Sequence, residues 1–310
     1  MSSEPISLLH PHRAAPQTAA DFTARFAPIG AEARDAIAAT PYLRECSGGI
    51  YADLDPDLTL DYMLRRFVRP LARHVEIETA SLLDCASGFG WLAFAWLRAG
   101  GASAILVDMD AKRLEAARSI ARVLGVEDRC RFIRSALQDI DLKGEQVDVF
   151  ASIETLEHVG RANVAACVST ISHLARRAVL LTSPNFIFPQ IAHDTGLPFA
   201  HWLPTKARRF YAAKAGRLAL DHGNHFLKPW DLLPLARKFR PVSAYQTFAS
   251  IAEFDAFFPH YMPYGGDDRL RRRAAPKSGQ RAITQLLGRI LGPYSFALAP
   301  NFASIWLRRT

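Results

Sequence analysis

Cysteine is scarce and scattered in this chain of 310 residues: Cys46, Cys85, Cys130 and Cys167 form no C-x-x-C pair. That argues against a zinc module or a disulfide framework and fits a reducing cytoplasm. Long apolar runs are missing too. The longest, Trp91 to Leu97, is far short of the ~18 residues that cross a bilayer, and Met1 to Ala20 has no signal-peptide core. Neither a membrane span nor an export signal is expected, and the expected location is cytoplasmic. No internal repeat is visible. With 49% hydrophobic, 22% charged and 10% aromatic residues, the composition is that of a globular enzyme and not of a disordered, collagen-like or coiled-coil chain. Acid is absent from one stretch, Arg269 to Arg281, which holds six cations of a chain whose net charge is +8. Such a local run reads first as a solvated loop and second as a grip on an anionic or phosphate partner.

The length admits one large domain with insertions, or two domains. Ser2 to Gln17 is a loose arm without apolar period, and Ala20 to about Thr79 is helical, with Leu60, Met63, Phe67 and Leu71 at three-to-four spacing. The texture then changes. Short apolar strands are expected at Ser81–Cys85, Ala104–Asp108, Arg131–Arg134, Val147–Ile153 and Ala178–Thr182. They alternate with helices at Trp91–Arg98, Ala111–Leu124 and Asn163–Ala175, the pattern of a parallel sheet covered on both faces. Beyond Pro184 the chain is irregular until a helix at about Pro229–Phe239 and strands at Val242–Thr247 and Phe302–Arg308. Residues 249–298 read as a helical insertion rich in aromatics. Seven aromatics lie between Tyr245 and Tyr264 and suit either an insertion core or a pocket for a flat acceptor.

The turn after the first strand reads Asp84-Cys85-Ala86-Ser87-Gly88-Phe89-Gly90. Glycines there let backbone N–H groups approach a ligand at a helix N-terminus. As a dinucleotide fingerprint it is incomplete, because Ala93 stands at the third glycine position. It resembles the first motif of class I S-adenosylmethionine-dependent methyltransferases, with Ala86 in place of the first glycine. Asp108, 18 residues after Gly90 at the end of the second strand, suits a ribose acceptor, and Leu106 to Asp110 followed by Arg113 to Ala117 looks like that family's second motif. Asp110 reads as the N-cap of the following helix. After the third strand, Ser135-Ala136-Leu137 lacks the family's usual aspartate, leaving the Leu137 N–H for adenine. Ile153-Glu154-Thr-Leu-Glu157-His158-Val159 looks like the leucine-glutamate-histidine signature after the fourth strand. The resemblance covers roughly residues 80–185 plus the last two strands. It implies a doubly wound, Rossmann-like α/β fold of seven strands with an antiparallel final strand. It also implies S-adenosyl-L-methionine as cofactor, held by Asp84, Ala86, Ser87, Gly88, Phe89, Gly90, Asp108, Met109, Ala136, Leu137 and Glu154.

The expected organisation is therefore an arm and helical cap over 1–79 and a methyltransferase domain over 80–310, interrupted by a lid at about 186–226 and the insertion at 249–298. Methyl transfer to a hydroxyl needs a positioned base. His158 is one candidate, the alternative being that Glu157 and His158 cap the next helix and orient the loop. His193 is the other candidate, in a lid that also holds Asp194 and His201. The Asp221-His222-Gly-Asn-His225 cluster lacks the spacing of a metal-ligand set, so no metal is expected, and its histidines, like those of the lid, read as a base, a polar substrate clamp or ordinary loop hydrogen bonding. Ser183-Pro184-Asn185-Phe186 superficially resembles a base-methylating signature but follows the fifth strand, where that signature does not belong. The leading expectation is O-methylation of a small-molecule acceptor. The alternatives are a tRNA or lipid-linked saccharide acceptor, gripped through Arg269 to Arg281 and Lys206 to Arg217, or an inactive partner subunit of the same fold. The sequence leaves the oligomeric state open.

Overall fold

A computed structural model describes residues 28–43, 45, 54–192, 194–243, 278–299 and 301–309. The arm up to residue 27, the aromatics from Tyr245 to Tyr264, the cations from Arg269 to Lys277 and His193 lie outside the described residues. The helices are α1 (Ala31–Ala38), α2 (Pro56–Met63), α3 (Arg69–Ala72), α4 (Trp91–Arg98), α5 (Ala111–Val123), α6 (Val164–Leu174), α7 (Thr205–Lys214), α8 (Leu233–Ala236) and α9 (Ser278–Leu291). The strands are β1 (Ser81–Cys85), β2 (Ser103–Asp108), β3 (Cys130–Arg134), β4 (Val147–Ile153), β5 (Ala175–Thr182), β6 (Phe239–Ser243) and β7 (Ser304–Arg308).

The strands form one sheet in the order β3-β2-β1-β4-β5-β7-β6, with β7 antiparallel to both of its neighbours. This is the expected Rossmann-like architecture, and its order reverses between β1 and β4, where open α/β sheets leave a crevice at the strand carboxyl ends. Side-chain alternation along the strands builds two cores. Leu82, Leu106, Val149 and Leu180 face α4, α5 and the N-terminal helices. Leu83, Val107, Phe150 and Leu181 face α6 and α8, with Phe296 and Phe302. Each large apolar side chain so buried contributes about 1.5–3 kcal/mol.

The helical segment expected as a cap shares the first of these cores, through Ile37, Leu60, Phe67 and Leu71. Asp55 caps α2 by accepting from the Asp57 and Leu58 N–H groups, with Pro56 at its first turn. The helix then widens into a π turn at Leu64–Val68. Pro70 follows directly and has no N–H to return to the preceding turn.

Three expectations need correction. The helix placed at Pro229–Phe239 is a 3-10 turn (Pro229–Leu232) and the short α8, because Pro234 lacks the N–H that would carry the hydrogen-bond ladder across their junction. Strand β6 begins at Phe239 instead of Val242, since the Phe239 ring is drawn wholly into the second core. Its Pro241 is tolerated because β6 is the sheet's edge. The segment from 186 to 226, expected to lack periodic structure, contains α7 and a small core of its own, including Ala192, Leu197, Ala200, Ala212 and Phe226. Among the described residues no helix is long and apolar enough to cross a membrane.

Candidate active site

A cavity of about 840 Å³ opens at the carboxyl ends of β1, β2 and β4. Of the residues expected to hold the cofactor, Asp84, Ala86, Ser87, Gly88, Phe89, Asp108, Met109, Ala136, Leu137 and Glu154 line it. Gly90 does not. It sits in the left-handed region (φ 83°) at the start of α4, where an added Cβ would meet Leu106 Cδ2 and the Phe94 ring at 2.6 Å. Its role is to let α4 pack closely on β2.

The turn is fastened to the second strand. Ser87 N–H donates to the Val107 carbonyl at 3.0 Å, and Gly88 N–H donates to Asp108 Oδ2 at 2.8 Å. The Gly88 N–H, expected to serve a ligand, is therefore engaged by Asp108, whose Oδ1 also accepts from the Asp110 N–H at 2.9 Å. Each carboxylate oxygen has two lone pairs, so Asp108 keeps acceptor capacity toward the cavity. Ala86, at the position of the family's first glycine, is held at φ 56°, a left-handed conformation that costs a residue with a Cβ about 1–2 kcal/mol.

Asp84 is fully buried at the end of β1, and its Oδ2 accepts from the Ala93 N–H of α4 at 3.3 Å. Burial pushes its acid up to about 7, opposed by that N–H and assisted by the Asp108 charge. Asp110 caps α5, as the sequence suggests, accepting from the Lys112 and Arg113 N–H groups. It also accepts from Tyr42 Oη at 2.7 Å, tying the N-terminal segment to the cavity rim.

At the end of β4, Glu154 adopts φ 48° and gives its N–H to Thr182, while its side chain accepts from Asn301. Glu157 does not cap the next helix: it is buried beneath the strand ends, where Ser183 Oγ donates to its Oε2 at 3.1 Å. Burial and the adjacent Glu154 carboxylate push Glu157 up to about 9, so it holds a proton at neutral pH. His158 faces the cavity with its side chain 52% exposed, its Nε2 lying 3.9 Å from Glu157 Oε1.

The histidines of the 186–226 segment separate. His201 is buried in that segment's own aromatic cluster, stacked on Phe226 with ring centroids 4.8 Å apart and hydrogen-bonded to the Phe188 carbonyl. His225 meets Arg161 at 2.8 Å, and Arg161 also pairs with Asp231. Only His222, among the described histidines of that segment, reaches the cavity wall. Arg113, from the second motif, also lines the wall, and Met63, Trp91, Gln138 and Asn163 complete positions that sequence reasoning did not single out. Met63 carries no local signal, whereas His222 is legible as part of its histidine cluster; chain crossing brings both to the wall. Among the described residues no cluster of three or more His, Cys, Asp or Glu side chains could hold a metal ion.

Two buried polar atoms in this wall, Ser87 Oγ and Trp91 Nε1, have no hydrogen-bond partner among the described residues. Orphaned hydrogen-bonding groups at a cavity fit a polar ligand that completes them. Residues 82–177, from β1 into β5, match the family model described as a methyltransferase domain. Over these residues the chain is similar to a methyltransferase domain. No curated protein sequence matches the chain. The structure is similar to magnesium protoporphyrin IX methyltransferase from Synechocystis PCC 6803 with bound S-adenosylhomocysteine, at 18% identity and a TM-score of 0.46 over 68% of this chain and 89% of that one. It is also similar to an S-adenosylmethionine-dependent methyltransferase from Clostridium acetobutylicum ATCC 824, at 16% identity and a TM-score of 0.35 over 44% of this chain. The chain spans about half, 54%, of that protein and of a Listeria monocytogenes structure. These likenesses concern fold and say nothing of the acceptor.

Proposed function

We propose that the methyltransferase domain binds S-adenosyl-L-methionine in the 840 Å³ cavity and methylates a hydroxyl of a small molecule. The observation that carries this reading is one wall that joins Asp108 with the orphaned Ser87 Oγ and Trp91 Nε1. The residues present fit the cofactor: Asp108 offers acceptor capacity for ribose hydroxyls, Leu137 an apolar wall for a base, and Ser87 and Trp91 donors for its polar end. When bound, the cofactor supplies a methyl group already activated by a sulfonium.

The protein's part is positioning, water exclusion and proton removal. His158 is the proposed base, since its imidazole faces the same cavity and is half exposed, within reach of a solute. His222 lines the same cavity and is the second group able to take a proton there. His193, the other expected base, lies outside the described residues. Calorimetry with S-adenosylhomocysteine tests the cofactor half: binding supports the reading, and absence of heat favours an inactive partner subunit. Mass spectrometry of a cell extract incubated with the protein and deuterated-methyl cofactor tests the acceptor half. Label found only in RNA or lipid-linked material would refute a small-molecule acceptor.

A further inference from the structure

We infer that helix α9 docks the protein on an anionic phospholipid surface. Nine cations and no acid follow Asp268, so the rest of the chain carries 29 cations against 30 acids. The whole positive excess therefore belongs to the C-terminal stretch that contains α9. Within α9, Ile283, Leu286, Leu287 and Ile290 recur at i, i+3, i+4 and i+7, which places them on one face. That face is not buried: Ile283 is 61%, Leu286 55% and Ile290 69% exposed. Tyr294 and Leu298, in the 3-10 turn that follows, are exposed as well.

Single exposed aliphatic residues are ordinary, but a row of them along one helix face marks an interaction surface. The helix is held at its C-terminal end, because Phe296 is buried in the second core and the 3-10 turn packs on β6. Its apolar row thus stands at the sheet edge in solvent.

Charge decides which partner fits. A second copy joined through this face in a two-fold dimer would bring its own acid-free, cationic stretch against the first. A bilayer with anionic headgroups accepts both features at once: apolar side chains enter the boundary between headgroups and acyl chains while arginines meet phosphates. At 14 residues α9 is roughly 21 Å long, too short to span a membrane and long enough to lie in its plane.

The test is flotation of the full-length protein with vesicles of equimolar phosphatidylcholine and phosphatidylglycerol, and with vesicles of phosphatidylcholine alone. The wild type should float with the anionic vesicles, less so as salt is raised, and only weakly with the neutral ones. The double variant Leu286→Ser, Ile290→Ser, which leaves the charge unchanged, should lose at least about tenfold in partitioning, while Gln285→Ser on the opposite face should not. Equal flotation of the double variant and the wild type, or equal binding to both vesicle types, would overturn the inference. Thermal melting and sedimentation velocity distinguish a bilayer from a covering supplied by protein. A lower melting temperature in the double variant would mean that the face is covered within the fold. A wild-type dimer that this variant dissociates would mean that a second copy covers it. Either result counts against the bilayer.

Discussion

Replacing Asp108 by alanine tests the cofactor site most directly, because the structure predicts two separable losses. The carboxylate is 7% exposed and accepts the Gly88 and Asp110 N–H groups at 2.8 and 2.9 Å. Truncation leaves both donors without that partner, and an unmade buried hydrogen bond costs about 1–3 kcal/mol, so the folded state should lose about 2–5 kcal/mol. The lower end applies if cavity water reaches the freed N–H groups. Cofactor affinity should fall separately by at least about tenfold, or about 1.4 kcal/mol, because the ribose acceptor is gone and the Gly88 turn is no longer fastened to β2. Asp108→Asn keeps one oxygen to accept one N–H but sets an amide NH₂ against the other donor. It should lose less stability than alanine and a similar share of affinity. Urea unfolding reads the first loss, and calorimetry with S-adenosylhomocysteine on the folded variant reads the second. If folded Asp108→Ala binds S-adenosylhomocysteine as tightly as the wild type, the assignment of Asp108 to the cofactor is wrong.

Gly90→Ala should destabilise by roughly 1–3 kcal/mol in urea unfolding, since its Cβ would collide with Leu106 and Phe94 at a left-handed φ. Gly88→Ala, whose Cβ meets nothing within 4 Å, should cost only the strain of its φ, about 1 kcal/mol; equal losses at the two glycines would refute the packing role of Gly90. Ala86→Gly should gain up to about 1 kcal/mol by relieving the strain at φ 56°, and a loss of stability would contradict that. Glu157, raised to about 9, binds more protons folded than unfolded, so its contribution is complete below its unfolded value of 4.5 and fades as pH rises toward 9. Urea midpoints between about pH 5 and pH 9 should therefore fall less steeply in Glu157→Gln than in the wild type, and parallel profiles would refute the buried neutral acid. His158→Ala should cut turnover by about 10² with little change in cofactor affinity, with His222→Ala as comparison. Full activity of His158→Ala between about pH 6 and pH 9 would remove histidine 158 as the base.

Much of this architecture is local in origin and is therefore readable from the chain. Strands β1 to β5 are short apolar runs, and α5 and α6 are periodic between recognisable starts and stops, so pattern alone sets their type and order. The Asp84-to-Gly90 turn and Asp108 are separated by one βα unit, and the parallel crossover carries both to the same end of the sheet. Asp110 as the cap of α5 follows from its immediate neighbours. Distant pairings decided the rest. Tyr42 reaches Asp110, Asn301 reaches Glu154 and His222 joins the wall opened by β1, although 68, 147 and more than a hundred residues separate these partners in sequence. Glu157 looked like a helix cap beside His158, yet packing of β4 against β5 and Ser183 encloses it and leaves it protonated. Gly90 matched a ligand-binding motif, and only the placement of Leu106 and Phe94 showed that it serves packing. Hydrophobic period and turn chemistry act over a few residues and write elements into the sequence. Burial, charge state and the identity of the facing side chain arise only when remote segments meet.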